Sequence, residues 1–182
     1  MSEPLQPQLA GVIGELDACT GDARRLAAAM DDAAFARRPA PERWSPAECI
    51  AHLTITTDVY LPLIRGGLER ARAMPGARGR YRCDWKGWLL ARSLEPSPRF
   101  KMRTPPRFEP RDPGPKAKVM DDFVRSQESL AALVRESSGR DLKRVAIASP
   151  FNAKMSYNMY SCFKILTAHE RRHLAQAREG GA

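Results

Sequence analysis

His52, His169 and His173 are the only three histidines of the chain, and their spacing is that of metal ligands. His169 and His173 are four residues apart, which on a helix puts both imidazoles on one face, about 6 Å apart along the axis. Two ring nitrogens can then reach one ion. His52 lies on the row 49, 52, 56, 59, 63, beside the main apolar stripe of its own helix, so it can face inward as well. Three neutral imidazoles with a fourth position unfilled make the pattern of a catalytic site for zinc or a similar borderline divalent ion, because a structural site normally closes its tetrahedron with a fourth protein ligand. The alternative for each histidine taken alone is a satisfied core or surface side chain. The pair on the apolar face of its helix favours the metal, since buried imidazole nitrogens left unpaired cost about 1–3 kcal/mol each.

The stretch His169-Glu170-Arg171-Arg172-His173 also matches H-E-x-x-H, in which the glutamate serves as general base. Proteases of that kind take a third ligand further downstream, and only nine residues follow His173 here. Glu170 is rotated by about 100° from His169, which makes it a weak catalytic candidate. Gln176 is three residues beyond His173 on the same face and is the other weak candidate, as a group that hydrogen-bonds a metal-bound water or orients an imidazole. Glu48 reads as a helix cap, Cys49 as a small core residue and Trp44 as packing before the second helix.

Four long amphipathic helices must position these residues. The first, from about Leu5 to Met30, repeats apolar residues at steps of three and four. The second begins at Ser45-Pro46-Ala47-Glu48, a side-chain cap, a proline at the first helical position and the carboxylate of a capping box, and runs toward Met74 with a bend expected at Pro62 or Gly66-Gly67. The third is expected from Lys116 to Ser137, with Met120, Phe123, Leu130, Leu133 and Val134 buried. The fourth is expected from Ser156 to Arg178, with Met159, Phe163, Leu166, His169, His173 and Ala177 on its apolar face. No strand signal competes. The pattern predicts an all-α fold, a single four-helix-bundle domain over 1–182 in which helices 1 and 2 are antiparallel neighbours and so are 3 and 4. A long crossover, residues 75–115, joins helices 2 and 3 and holds 8 of the 15 prolines. A short helix from Trp85 to Ser93 is expected inside it, as an ordinary amphipathic crossover or, alternatively, as a lid over the metal.

Composition bounds the functions. No apolar run approaches the roughly 20 residues of a membrane span, so no membrane partner is expected. Cys19, Cys49, Cys83 and Cys162 have no C-x-x-C spacing, and reduced thiols in a cytoplasmic protein are the simplest account. The net charge of +9 raises nucleic acid as a partner, yet residues 65–118 alone hold 15 basic and 5 acidic side chains, a net of +10. The excess belongs to the crossover, which has no nucleic-acid-binding motif, so this reading ranks last.

Arg38-Pro39, then Trp44-Ser45-Pro46-Ala47-Glu48 and His52-Leu53, then Arg103-Thr104-Pro105-Pro106-Arg107-Phe108-Glu109-Pro110, and finally His169 to Gln176, occur in this order across most of the chain. In this the sequence resembles the DinB-like superfamily of small four-helix-bundle proteins, which includes YfiT-like metal-dependent hydrolases and bacillithiol- and mycothiol-dependent transferases. The resemblance implies a divalent ion, zinc or nickel, held by His52, His169 and His173, and a homodimer. Three functions then compete: a metal-dependent hydrolase or thiol S-transferase acting on a small molecule, with a low-molecular-weight thiol as co-substrate in the second case; a non-catalytic metal-stabilised ligand-binding or stress-response module; and nucleic-acid binding. Whether the protein is an enzyme stays open at the level of sequence.

Overall fold

A computed structural model describes residues 5–77, 79–96, 104–152 and 154–181; Arg103 and residues 97–102 of the crossover lie outside the described residues. The long helices are α1 (Pro7–Ala28), α3 (Pro46–Arg72), α5 (Lys116–Glu136) and α6 (Met159–Gly180). Two shorter ones, α2 (Asp32–Ala36) and α4 (Trp85–Leu94), lie in the connections. Helix α3 starts as its sequence dictates. The Ser45 hydroxyl accepts from the Glu48 N–H at 3.1 Å and the Ser45 N–H donates to the Glu48 carboxylate at 2.8 Å. Pro62 lies inside it without ending it.

The long helices pack in a ring. Helix α1 packs against α5 and α6, and α3 packs against the same two. Sequence neighbours therefore do not pair as expected, because α1 and α3 lie across the ring, as do α5 and α6. The connections explain this. Residues 29–45 carry α2 and two prolines, and residues 137–158 carry a hairpin, so both are long enough to cross the end of the bundle.

The periodicity misses that hairpin, as it misses the short α2 and the 3₁₀ turn at Pro106–Phe108. Strands β1 (Ala146–Ala148) and β2 (Ser156–Asn158) pair antiparallel, with Ile147 opposite Tyr157. Residues 156–158, expected as the first turn of the last helix, are strand instead, and Asn158 caps α6 by accepting from the Ser161 N–H at 2.8 Å. Three-residue strands are too short to show a period of two.

Helix α4 packs on α6 through Gly87, which lies against Ser161, while Trp85, Trp88 and Leu89 are 72%, 60% and 55% exposed. Trp85 and Trp88, the residues of the alternative lid reading, therefore face outward.

The core has two apolar clusters separated by a polar layer. One cluster, toward the hairpin, takes Leu9 to Leu16, Tyr60 to Ala71, Leu130 to Val134 and Met159 to Leu166. The other takes Cys19 to Ala27, Ala47 to Leu53, Val119, Phe123, Leu174 and Ala177. At the changeover on each of α3, α5 and α6 come buried polar residues: His52, Thr56 and Thr57; Ser126 and Gln127; Thr167, His169 and Glu170. Burying so many polar groups at one level is costly unless they bond something.

Candidate metal centre

Helix α3 brings His52 to α6, where one turn separates His169 from His173, and one nitrogen from each of the three rings lies within 4.8 Å of the others. His52 Nε2 is 3.2 Å from His169 Nε2. The ring centroids are 4.5–5.0 Å apart and the planes are inclined by 61–66°, so the rings converge edge to face around one point. His52 and His169 are buried, and His173 is half-buried.

The orientation of His52 is fixed from behind. Its Nδ1 lies 2.8 Å from the backbone carbonyl of Phe108, in a 3₁₀ turn spanning Pro106–Phe108. A carbonyl only accepts, so Nδ1 carries the proton and Nε2 presents its lone pair to the cluster. The sequence gives no residue-type signal for a backbone acceptor. Phe108 is fully buried and stacks on Phe151 at 4.0 Å, and Phe151 in turn reaches within 6.1 Å of His169. On the other side Trp44 stacks on His173 at 5.8 Å and tilts against His52 at 4.8 Å. Trp44, read from sequence as packing before the helix, is a wall of the site.

Electrostatics leave the imidazoles neutral. Burial pushes His169 down to about 3, with the neighbouring His52 and Arg172 adding to the effect. Burial likewise lowers His173 well below the ordinary value, with His169, His52 and Arg172 contributing, and it lowers His52 against a smaller opposing effect of the Phe108 carbonyl. Neutral imidazole is the metal-binding form.

The other sequence candidates fall around this cluster rather than in it. The Glu170 carboxylate is buried and accepts from Gln127 Nε2 of α5 at 2.9 Å; burial pushes it up to about 7. Gln176 is half-buried beside His173, without completing a hydrogen bond to its Nδ1. Glu48 serves the cap and Arg38, whose Nε lies 2.8 and 2.9 Å from its two oxygens. Cys49 is buried outside the cluster, its thiol pushed up to about 12 by burial. Arg171 points to Glu15 at 3.0 Å and to Glu95, an ion-pair network that joins α6 to α1 and to the end of α4. Two surface grooves, one floored by Asp58 and Asp122 and one by Met120 and Glu128, include no histidine.

The residues fit a divalent ion. Zinc–nitrogen bonds of about 2.0–2.1 Å in a tetrahedral site place ligand nitrogens about 3.3 Å apart; the His52–His169 pair is at 3.2 Å, and all three nitrogens lie within 4.8 Å of one another. The buried side-chain atoms left without any hydrogen-bond partner among the described residues are Thr56 Oγ1, Gln127 Oε1, Glu170 Oε2 and His173 Nδ1. Thr56, Gln127 and Glu170 belong to the polar layer and His173 to the imidazole cluster at its edge, so bonding at this level is incomplete with the described protein groups alone.

Compared with known proteins, the chain matches no curated protein and no solved structure. The family model of the DinB superfamily matches residues 15–177, which include His52, Trp44, Phe108 and both histidines of α6. The chain belongs to the DinB superfamily.

Proposed function

We propose that His52, His169 and His173 bind a divalent ion, zinc or nickel, inside a single four-helix-bundle domain, and that the ion serves a metal-dependent hydrolase or thiol S-transferase reaction on a small molecule. The observation that carries this is the convergence of three neutral imidazole nitrogens within 4.8 Å in a buried layer with unsatisfied polar atoms. Such an ion would lower the pKa of water or of a thiol in its open position and so supply a nucleophile near neutral pH. The chain's own residues do the rest. The Phe108 carbonyl holds the His52 proton on Nδ1 and keeps Nε2 free as a donor. Trp44, Phe108 and Phe151 exclude bulk water from the rings, which strengthens every electrostatic interaction among them. Gln176, beside His173, is the polar side chain placed to orient an incoming group. The family resemblance adds a homodimer to this reading, which light scattering on the purified protein would test.

Zinc- and nickel-loaded protein should turn over either an activated ester or a low-molecular-weight thiol with an electrophile, and His169→Ala should abolish it. Chelation that lowers the melting temperature, with no turnover in either assay, would instead leave the ion a structural role in a non-catalytic module.

A further inference from the structure

Helix α3 carries a second group that the metal reading does not use. Thr56 stands one turn, about 6 Å, beyond His52 and about 40° round the helix, and Tyr60 follows one turn later. His52 meets His169 of α6, and the Tyr60 hydroxyl meets Tyr157 of β2, two residues before α6 begins, so Thr56 between them lies on the side of α3 that packs on α6. Helical side chains lean toward the N-terminus, which turns Thr56 back toward His52. Thr56 is 1% exposed and its Oγ1 has no hydrogen-bond partner among the described residues.

Several other hydroxyls on or at the ends of these helices close a local loop. Thr54 bonds back to the Ile50 carbonyl at 3.3 Å, Thr20 to Leu16 at 3.0 Å, Ser129 to Arg125 at 2.9 Å and Ser137 to Leu133 at 2.7 Å. Thr56 could close the same loop on the His52 carbonyl and does not. A buried hydroxyl that forgoes its local acceptor, one helical turn from His52, is arranged for a partner other than the backbone beneath it.

We propose that the Thr56 hydroxyl is the hydrogen-bonding partner of the small oxygen or nitrogen ligand, water or a monovalent anion, that fills the coordination position left by His52, His169 and His173. A hydroxyl both donates and accepts, so it suits either ligand. This rests on the metal reading above. It adds a ligand-binding residue that no motif marks.

The test uses protein loaded with cobalt(II), whose visible absorption reports the coordination sphere, titrated with azide as the probe anion. Wild type, Thr56→Val and Thr56→Ser are compared, valine keeping the shape and serine the hydroxyl. All three should take up one equivalent of cobalt with affinities within about threefold. Azide should bind about three- to tenfold more weakly to Thr56→Val, the effect of one hydrogen bond, and Thr56→Ser should restore it. Without metal, Thr56→Val should melt about 2–4 °C higher, because an unpaired hydroxyl has been replaced by a methyl. Azide binding by Thr56→Val equal to wild type, failure of serine to restore it, or a lower metal-free melting temperature for the valine variant would overturn the assignment. Wild-type protein that takes up no cobalt would overturn the metal reading itself, so the two failures are distinguishable.

Discussion

His52 presents its Nε2 lone pair to the other two rings because the Phe108 carbonyl accepts from the proton on its second nitrogen. The histidine trio was legible in the sequence, since histidine is rare in this chain and the spacing of 169 and 173 fixes one helical face. Its supports were not. The Phe108 carbonyl leaves no mark on residue type, and Trp44 and Phe151 reach the site from the chain before α3 and from the hairpin, which no local period reports. Glu170 illustrates the converse. The H-E-x-x-H string draws the eye to its carboxylate, but a rotation of about 100° on the helix carries it to Gln127. At this scale Phe108→Ala should cost about 3–5 kcal/mol in denaturant unfolding, because a fully buried ring is lost. It should also weaken metal affinity about 10- to 100-fold in chelator competition, since the turn no longer holds the His52 proton. Glu48 makes a pH prediction. Burial pushes its carboxyl up, but Arg38 and the Ser45 N–H outweigh this and leave it below the ordinary value. Its contribution is therefore complete above the ordinary carboxylate range and fades as pH falls through the lowered one. Glu48→Gln should cost about 1 kcal/mol at pH 7, a figure kept small by the exposure of Arg38, and the loss should shrink in unfolding curves taken at progressively acid pH.

Elements were legible where their ends carry chemistry. Ser45-Pro46-Ala47-Glu48 starts α3 at Pro46 as read, and the apolar stripes of α5 and α6 are buried as read, apart from the half-buried Met120 and His173. The hairpin was invisible because Ala-Ile-Ala and Ser-Tyr-Asn are too short to alternate, and its place is set by tertiary packing on Gly67 of α3. A Cβ at Gly67 would overlap Met159 and lie 2.9 Å from Ile147 and 3.0 Å from Val145. Gly67→Ala should therefore destabilise by about 1–3 kcal/mol, measured by urea unfolding, with the hairpin amides exchanging faster than those of α5. Gly87 is the corresponding contact for α4, and the outward turn of Trp85 and Trp88 follows from that glycine lying against Ser161.

For the whole molecule, the four long helices, the short α4 and the mostly helical class followed from the sequence, but α2 and the ring order did not. Amphipathic stripes say which face of a helix is buried and nothing about which partner buries it, so α1 and α3 were paired by loop economy alone. The polar layer that divides the two apolar clusters is likewise a property of several helices at once. One ion bound at that level should stabilise the fold as a unit, raising the melting temperature with metal concentration, since a ligand bound only by the native state adds about 2.7 kcal/mol at a hundredfold excess over Kd. The most direct test is the metal content of the purified protein by elemental analysis, alongside His52→Ala, His169→Ala and His173→Ala. One equivalent of zinc or nickel in the wild type, lost or sharply reduced in each variant, is the expected result. A folded wild-type protein that holds no ion after incubation with either metal, or variants that retain a full equivalent, would contradict the account.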